Sequence, residues 1–351
     1  MARPVVAIVS FRLGGSDGVA VEATKWGDAL SVLGFDVRTV AGEGPVDRLL
    51  PGLAIDAPEP PRPAEVEDAL SDSALVVVEN LCSLPLNPRA AAVVAGVLRN
   101  RRTVMHHHDL PWQRDQYARC PAPPDDPAWI HVTVNERSRR ELDAVGIAAT
   151  VVHNAFDVDA PEGDRDATRA ALGLRGGTRL VLQPTRAIPR KNVGGGIALA
   201  EDLGATFWLL GPAEDGFGPE LKRLVAKAHC PCLVGPGPQG PRASVVDAYA
   251  ACDVVVLGST WEGFGNPAIE SAVHRRPLGI GPYPVAAELA AFGFRWFAHD
   301  DAAAIAAFLD APDPSLLEHN HAVASRHFAL GDLPGRIGRV FESAGWAWPE
   351  V

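Results

Sequence analysis

Two glutamates bracket the segment Glu262-Gly263-Phe264-Gly265-Asn266-Pro267-Ala268-Ile269-Glu270, which closely follows the apolar run Asp253 to Leu257. Pro267 favours a helix beginning there, with Asn266 as its N-cap. Gly263 and Gly265 then expose backbone N–H groups just ahead of the helix, where its dipole favours an anion such as a diphosphate. Glu262 falls in the loop and Glu270 about one turn into the helix. Carboxylates suit phosphate poorly but suit hydroxyl groups on either side of it, a sugar's on one flank and a ribose's on the other. The plainer alternative is a capped helix carrying a surface glutamate.

Upstream, Pro184-Thr185-Arg186-Ala187-Ile188-Pro189-Arg190-Lys191-Asn192 leaves another strand-like run. Arg186 and Lys191 could neutralise a diphosphate as negative charge grows on it; either could instead be a solvated loop cation. In the first half, Thr103 to Met105 runs into His106-His107-His108-Asp109. Successive residues of an extended segment point to alternate faces, so the three histidines cannot all converge on one metal ion. His108, beside Asp109 at a strand's carboxyl end, is the best placed to meet a substrate hydroxyl or phosphate. Trp112 is expected to cover core. Ser10 to Gly18 contains Gly14, Gly15 and Gly18 between a strand and a helix, which suits either backbone approach to a ligand or a tight turn. Gly235 to Gly240 matches G-x-G-x-x-G, yet Pro236, Pro238 and Pro241 lack N–H groups, so a pyrophosphate cradle is not expected there.

The elements that must position these residues alternate along the whole chain. Strand candidates in the first half are Val5 to Val9, Phe35 to Val40, Ala74 to Val78, Thr103 to Met105, Ile130 to Val134 and Thr150 to Val152; in the second they are Arg179 to Gln183, Thr206 to Leu210, Cys232 to Val234, Asp253 to Leu257 and Leu278 to Ile280. Helical patterns separate them. Val19, Ala23, Trp26, Leu30 and Leu33 form one face of a helix that Gly34 stops. Strands alternating with helices imply an α/β protein with two doubly wound parallel sheets. The expected domains are 1–155 and 156–332, with Asn154 to Asp166 as linker and 333–348 a closing helix that packs back on the first domain. Ligands bind beyond the carboxyl ends of such strands, so a cleft between two domains is the expected place for chemistry.

Composition agrees with a globular two-domain protein of 351 residues, 47% of them hydrophobic and 21% charged. A net charge of −11 disfavours a general nucleic-acid binder. The skew of 4 Lys against 28 Arg is read as a coding bias. Five cysteines without zinc-site spacing suit a reducing cytosol. With no signal peptide after Met1 and no apolar run near 18 residues, a cytoplasmic location is expected.

Taken together these motifs resemble the retaining GT-B glycosyltransferases, specifically family 4 (group 1). The resemblance covers nearly the full chain, and its most specific element is E-x7-E, Glu262 to Glu270. Thr185, where the family often has Gly, and His153, where it often has Pro before Asn154, depart from the pattern. The resemblance implies two Rossmann-like domains, the first binding acceptor and the second a nucleoside diphosphate sugar, with hexosyl transfer to a hydroxyl at retained configuration. It implies that Glu270 holds the ribose, and that Glu262 with Gly263, Phe264, Gly265 and Asn266 engages sugar and diphosphate. Arg186 and Lys191 would stabilise the leaving group, His108 would contact donor sugar or phosphate, and Gly15 would let the first loop approach. No metal and no cofactor beyond the nucleotide sugar is expected, with GDP-mannose and UDP-sugars open as donors. The acceptor is expected to be a small molecule or saccharide. Competing readings are a sugar-nucleotide epimerase or phosphorylase on the same scaffold and a catalytically silent nucleotide-sugar-binding protein.

Overall fold

The computed structural model describes residues 3–15, 17–235 and 244–346. The chain forms two compact units, 1–155 with 330–351, and 156–329. Seven strands build the first: β1 (Val5–Arg12), β2 (Asp36–Glu43), β3 (Arg48–Leu49), β4 (Ser73–Glu79), β5 (Thr103–His107), β6 (Trp129–Thr133) and β7 (Ala149–Val151). They pair in parallel in the order β3-β2-β1-β4-β5-β6-β7. The near-continuous apolar runs are those of strands covered on both faces. Alternation divides them between two cores. Val6, Ile8, Leu75, Val77, Val104 and Val132 face one way, while Ala7, Val9, Val76, Val78 and Met105 face the other.

The helix Gly18–Val32 starts where Asp17 accepts hydrogen bonds from the Val19 and Ala20 N–H groups, and it ends before Gly34 at φ +91°. It lays Ala23, Trp26 and Leu30 on the first core. The helix Leu333–Ser343 adds Leu333, Ile337, Val340 and Phe341 to that same core.

The second unit contains β8 (Leu180–Gln183), β9 (Thr206–Leu209), β10 (Cys232–Val234), β11 (Val254–Leu257), β12 (Leu278–Ile280) and β13 (Phe297–Ala298), all parallel, in the order β10-β9-β8-β11-β12-β13. In both sheets the winding reverses beside the first strand, between β1 and β4 and between β8 and β11. These are the two switch points, where loops diverge and leave a crevice at the carboxyl edge.

Several expectations need adjusting. β1 runs on to Arg12, which pairs with Glu43, so the expected loop from Ser10 begins only at Leu13. The second unit ends at Ala329, not 332. The linker is shorter than Asn154 to Asp166: Ala155 is buried in the first core, the Phe156 N–H bonds to the Phe328 carbonyl, and a helix begins at Arg165. Apolar residues next to a domain boundary are drawn into the cores on either side, which leaves only the acidic stretch between them irregular. The proline-rich loop Pro236 to Gly240 and the end of the closing segment at Trp348 lie outside the described residues. Among the described residues no helix is long and apolar enough to cross a membrane.

Candidate functional site

The segments leaving β8 and β11, neighbours at the second switch point, carry Arg186, Lys191 and Glu262 in loops and Glu270 in the helix that follows β11. After β8 the chain makes a short 3-10 turn, Pro189–Lys191, and Gln183 at the strand end donates its side-chain N–H to the Lys191 carbonyl at 2.8 Å. Lys191 is thereby drawn inward. Its ammonium pairs with Glu262 Oε1, while Arg190 Nη1 reaches Glu262 Oε2 at 3.0 Å and the Trp261 carbonyl at 2.7 Å. Both oxygens of the buried Glu262 are thus engaged. Burial pushes its pKa upward, but Lys191 and Arg190 together hold it below the usual carboxylate range.

Lys191 is pulled below its ordinary range by burial, against the attraction of Glu262, and the nearby Arg190 and Arg186 add to that pull. Arg186 is paired with Glu214. Three cations therefore share two carboxylates, leaving an excess of one positive charge where a bound anion would be favoured.

The helix after β11 spans Asn266–Val273. The expected N-cap, Asn266, is instead its first residue, and Gly265 is the cap at φ +98° with no side-chain cap bond. A Cβ at Gly265 would fall on the Tyr283 hydroxyl, which itself donates to the Phe264 carbonyl at 3.3 Å. That crowding decides the cap: only glycine reaches this backbone conformation beside the tyrosine. The Phe264 ring packs against Phe156 and Phe328, so what it offers a ligand comes from its backbone. Glu270, one turn into the helix, accepts a hydrogen bond from Tyr249 at 2.7 Å. Gly263 lies in the loop just ahead.

In the loop that follows β1, Gly14 adopts positive φ, at +73°, packed against Pro45, whereas Gly15 does not and is exposed beside Asp17. The turn therefore depends on Gly14, while Gly15 is left at the loop's surface. Trp112 is half-buried over a small cluster around Leu110 and Leu142 and donates to Glu141. The histidines alternate as expected, but two of them meet a carboxylate. Glu79, at the end of β4, lies 2.9 Å from His106 Nδ1 and 2.8 Å from His108 Nε2, and the three side chains are close enough together to hold a metal ion. His107, on the opposite face, joins Ser83, His131 and Asp125 in a chain of hydrogen bonds.

Sequence reasoning missed Glu79, Arg190, Tyr249 and Tyr283. Glu79 had a signal, an acidic residue closing a valine-rich strand beside the switch point. The tyrosines had none, because their partners are remote in sequence.

Both sheets have the 3-2-1-4-5-6 type of winding, with a switch point beside the first strand, and the chain superposes on solved structures over nearly its whole length. It has the fold of the GT-B glycosyltransferases. The Anabaena protein HepE in complex with UDP-glucose matches at TM-score 0.72 and 18% identity, over 97% of this chain and 99% of that one. Sucrose-phosphate synthase from Thermosynechococcus elongatus matches at 0.71 and 16%, over 97% and 99%. WaaG, a glycosyltransferase involved in lipopolysaccharide biosynthesis, matches at 0.64 and 14%, over 95% and 99%. In sequence, mannosylglucosylglycerate synthase of Thermotoga maritima is 25% identical over 95% of this GT-B chain and 99% of its own length, and the protein of that name from Petrotoga mobilis is 22% identical over 82% and 85%. No protein-family model matches the chain.

Proposed function

We propose that this GT-B protein is a retaining glycosyltransferase that moves a hexosyl unit from a nucleoside diphosphate sugar to a hydroxyl of a small acceptor. The observation that carries the reading is the cluster of Arg186, Arg190 and Lys191 with Glu214 and Glu262, three cations paired with two carboxylates, beside the glycine-capped helix that bears Glu270. In this reading the diphosphate supplies the missing charge, held by the cationic side chains and by amides of Gly263 to Asn266, and Glu270 takes the ribose hydroxyls. Those cations stabilise the departing diphosphate as its charge grows, a role that a metal ion fills elsewhere, so no metal or other cofactor is needed.

Glu262 is a poor nucleophile while both its oxygens are clamped by cations, which supports same-face attack over a glycosyl-enzyme intermediate. The leaving phosphate then accepts the acceptor's proton. Trapping an adduct on Glu262 would refute that route.

The name shared by the two sequence relatives places a glucosylglycerate-type acceptor and a mannosyl donor first in a trial panel, with UDP-glucose next because HepE binds it. Thermal shift against nucleoside diphosphates and their sugars should single out one base, and NMR of the product made from that donor and an acceptor should show an anomeric centre of unchanged configuration. Epimerised sugar formed without acceptor would defeat the reading. So would tight donor binding with no turnover across the panel.

A further inference from the structure

Glu79 is wholly buried at the carboxyl end of β4, and a carboxylate in such a place must be neutralised or hydrogen-bonded on all sides. Its partners are two imidazoles of β5 and the residue after it, His106 at 2.9 Å and His108 at 2.8 Å. Ligand nitrogens and oxygens around tetrahedral zinc at about 2.0–2.1 Å would stand roughly 3.3 Å apart. The observed separations are those of charge-assisted hydrogen bonds.

Which imidazole carries a positive charge follows from what each ring's second nitrogen meets. His106 lies against the Trp26 ring, and its Nε2 is buried with no hydrogen-bond partner among the described residues. Protonating His106 would bury a charged N–H with nothing to accept it, so His106 is the neutral tautomer that donates through Nδ1. His108 retains 9% side-chain exposure, and its Nδ1 makes no hydrogen bond among the described residues. Its backbone is held too, the His108 N–H donating to Asn80 Oδ1 at 3.1 Å.

We propose that Glu79 is a positioning residue that holds His108 as an imidazolium, with Nε2–H bound to Glu79 and Nδ1–H presented to an oxygen of a substrate. This rests on the reading above that His108 meets a substrate, and it makes His108 a donor of a charged hydrogen bond, suited to a phosphate or sugar oxygen and not to removal of a proton. The other charged groups around the pair come from the helix Gly18–Val32, where Glu22 pairs with Lys25 at 2.5 Å, and from the loop after His108, where Asp109 pairs with Arg114 at 2.7 Å. His107, His131 and Asp125 form the separate chain on the other face of the sheet. The raised pKa of His108 has the same origin: burial opposes the charge, and Glu79, with Glu22 and Asp109, overcomes it.

The test is a pH titration of the ring nitrogens by NMR in histidine-labelled protein. In the wild type His108 should stay doubly protonated above pH 6.5 while His106 remains a neutral Nδ1–H tautomer. In Glu79→Gln, His108 should titrate lower, so the alkaline limb of the rate profile should move down by the same amount; on that limb kcat should fall about tenfold for each unit of the shift with KM little changed, while the acid plateau stays. Glu79→Asp should recover part of it. A neutral His108 in the wild type at pH 6, or one equivalent of zinc in the purified protein that Glu79→Gln loses, would overturn the proposal. The wild-type titration needs neither turnover nor a stable variant, so the outcome for Glu79 is separable from that for glycosyl transfer.

Discussion

Lys191 and Arg190 grip the same carboxylate from two sides, and they are adjacent in a loop whose carbonyl Gln183 pins. Replacing Lys191 by Met leaves Glu262 paired with the Arg190 cation, so the cost should fall below that of stripping a buried charge bare, about 1–3 kcal/mol by chemical denaturation. Activity should suffer more. Loss of one preorganised cation facing a leaving diphosphate is expected to lower kcat/KM by about 10²–10³-fold, and a smaller loss than tenfold would argue against Lys191 touching the leaving group. Lys191 and Glu262 were legible in the sequence as candidates. That Arg190 joins them, and that they neutralise each other in part, was not, because a loop's side-chain directions are set by what its backbone is tied to.

The helix Asn266–Val273 shows how much an element's start matters. Its cap, Gly265, combines φ +98° with a Cβ position blocked by the Tyr283 hydroxyl. Gly265→Ala should therefore cost about 1–3 kcal/mol in strain, and it should weaken nucleotide affinity by moving the amides ahead of the helix. Calorimetry on both counts checks this, and unchanged affinity would remove those amides from the site. The sequence marked a helix here through Pro267, and it suggested Asn266 as cap by side-chain preference. The tertiary neighbour Tyr283 overrode that preference. The same limit applies in the first unit, where Glu22 lies on the buried face of a helix read as apolar.

Each unit has its own cores, so a nucleotide held by the second should protect that unit first. Hydrogen exchange with the preferred nucleoside diphosphate should slow amides around 184–192 and 262–273, and protection confined to the first unit would count against the donor assignment. Acid should act most on the first unit. His106, His107 and His131 are held below their ordinary 6.5 by burial, so the unfolded chain takes up protons that these rings refuse, and stability falls as pH drops below that value. Glu79 adds a second loss lower down: burial pushes its carboxyl up, but His106 and His108 hold it at about 2, so its contribution is present above 4.5 and disappears on the way to about 2. His108, raised, works in the opposite sense at the alkaline side, its contribution being lost as pH climbs through its folded value. Denaturant titrations from pH 8 to pH 3 should show this order, and a flat profile between 7 and 5 would contradict the buried neutral histidines. At this scale the sequence alone determined the α/β class, the parallel sheets and the loops that carry the polar residues, because hydrophobic period and turn chemistry are local properties. Only the tertiary structure decided which polar groups meet, Glu79 with His108, Arg190 with Glu262 and Tyr249 with Glu270. Those pairings join strands and helices brought together by sheet order, and no local pattern records that order.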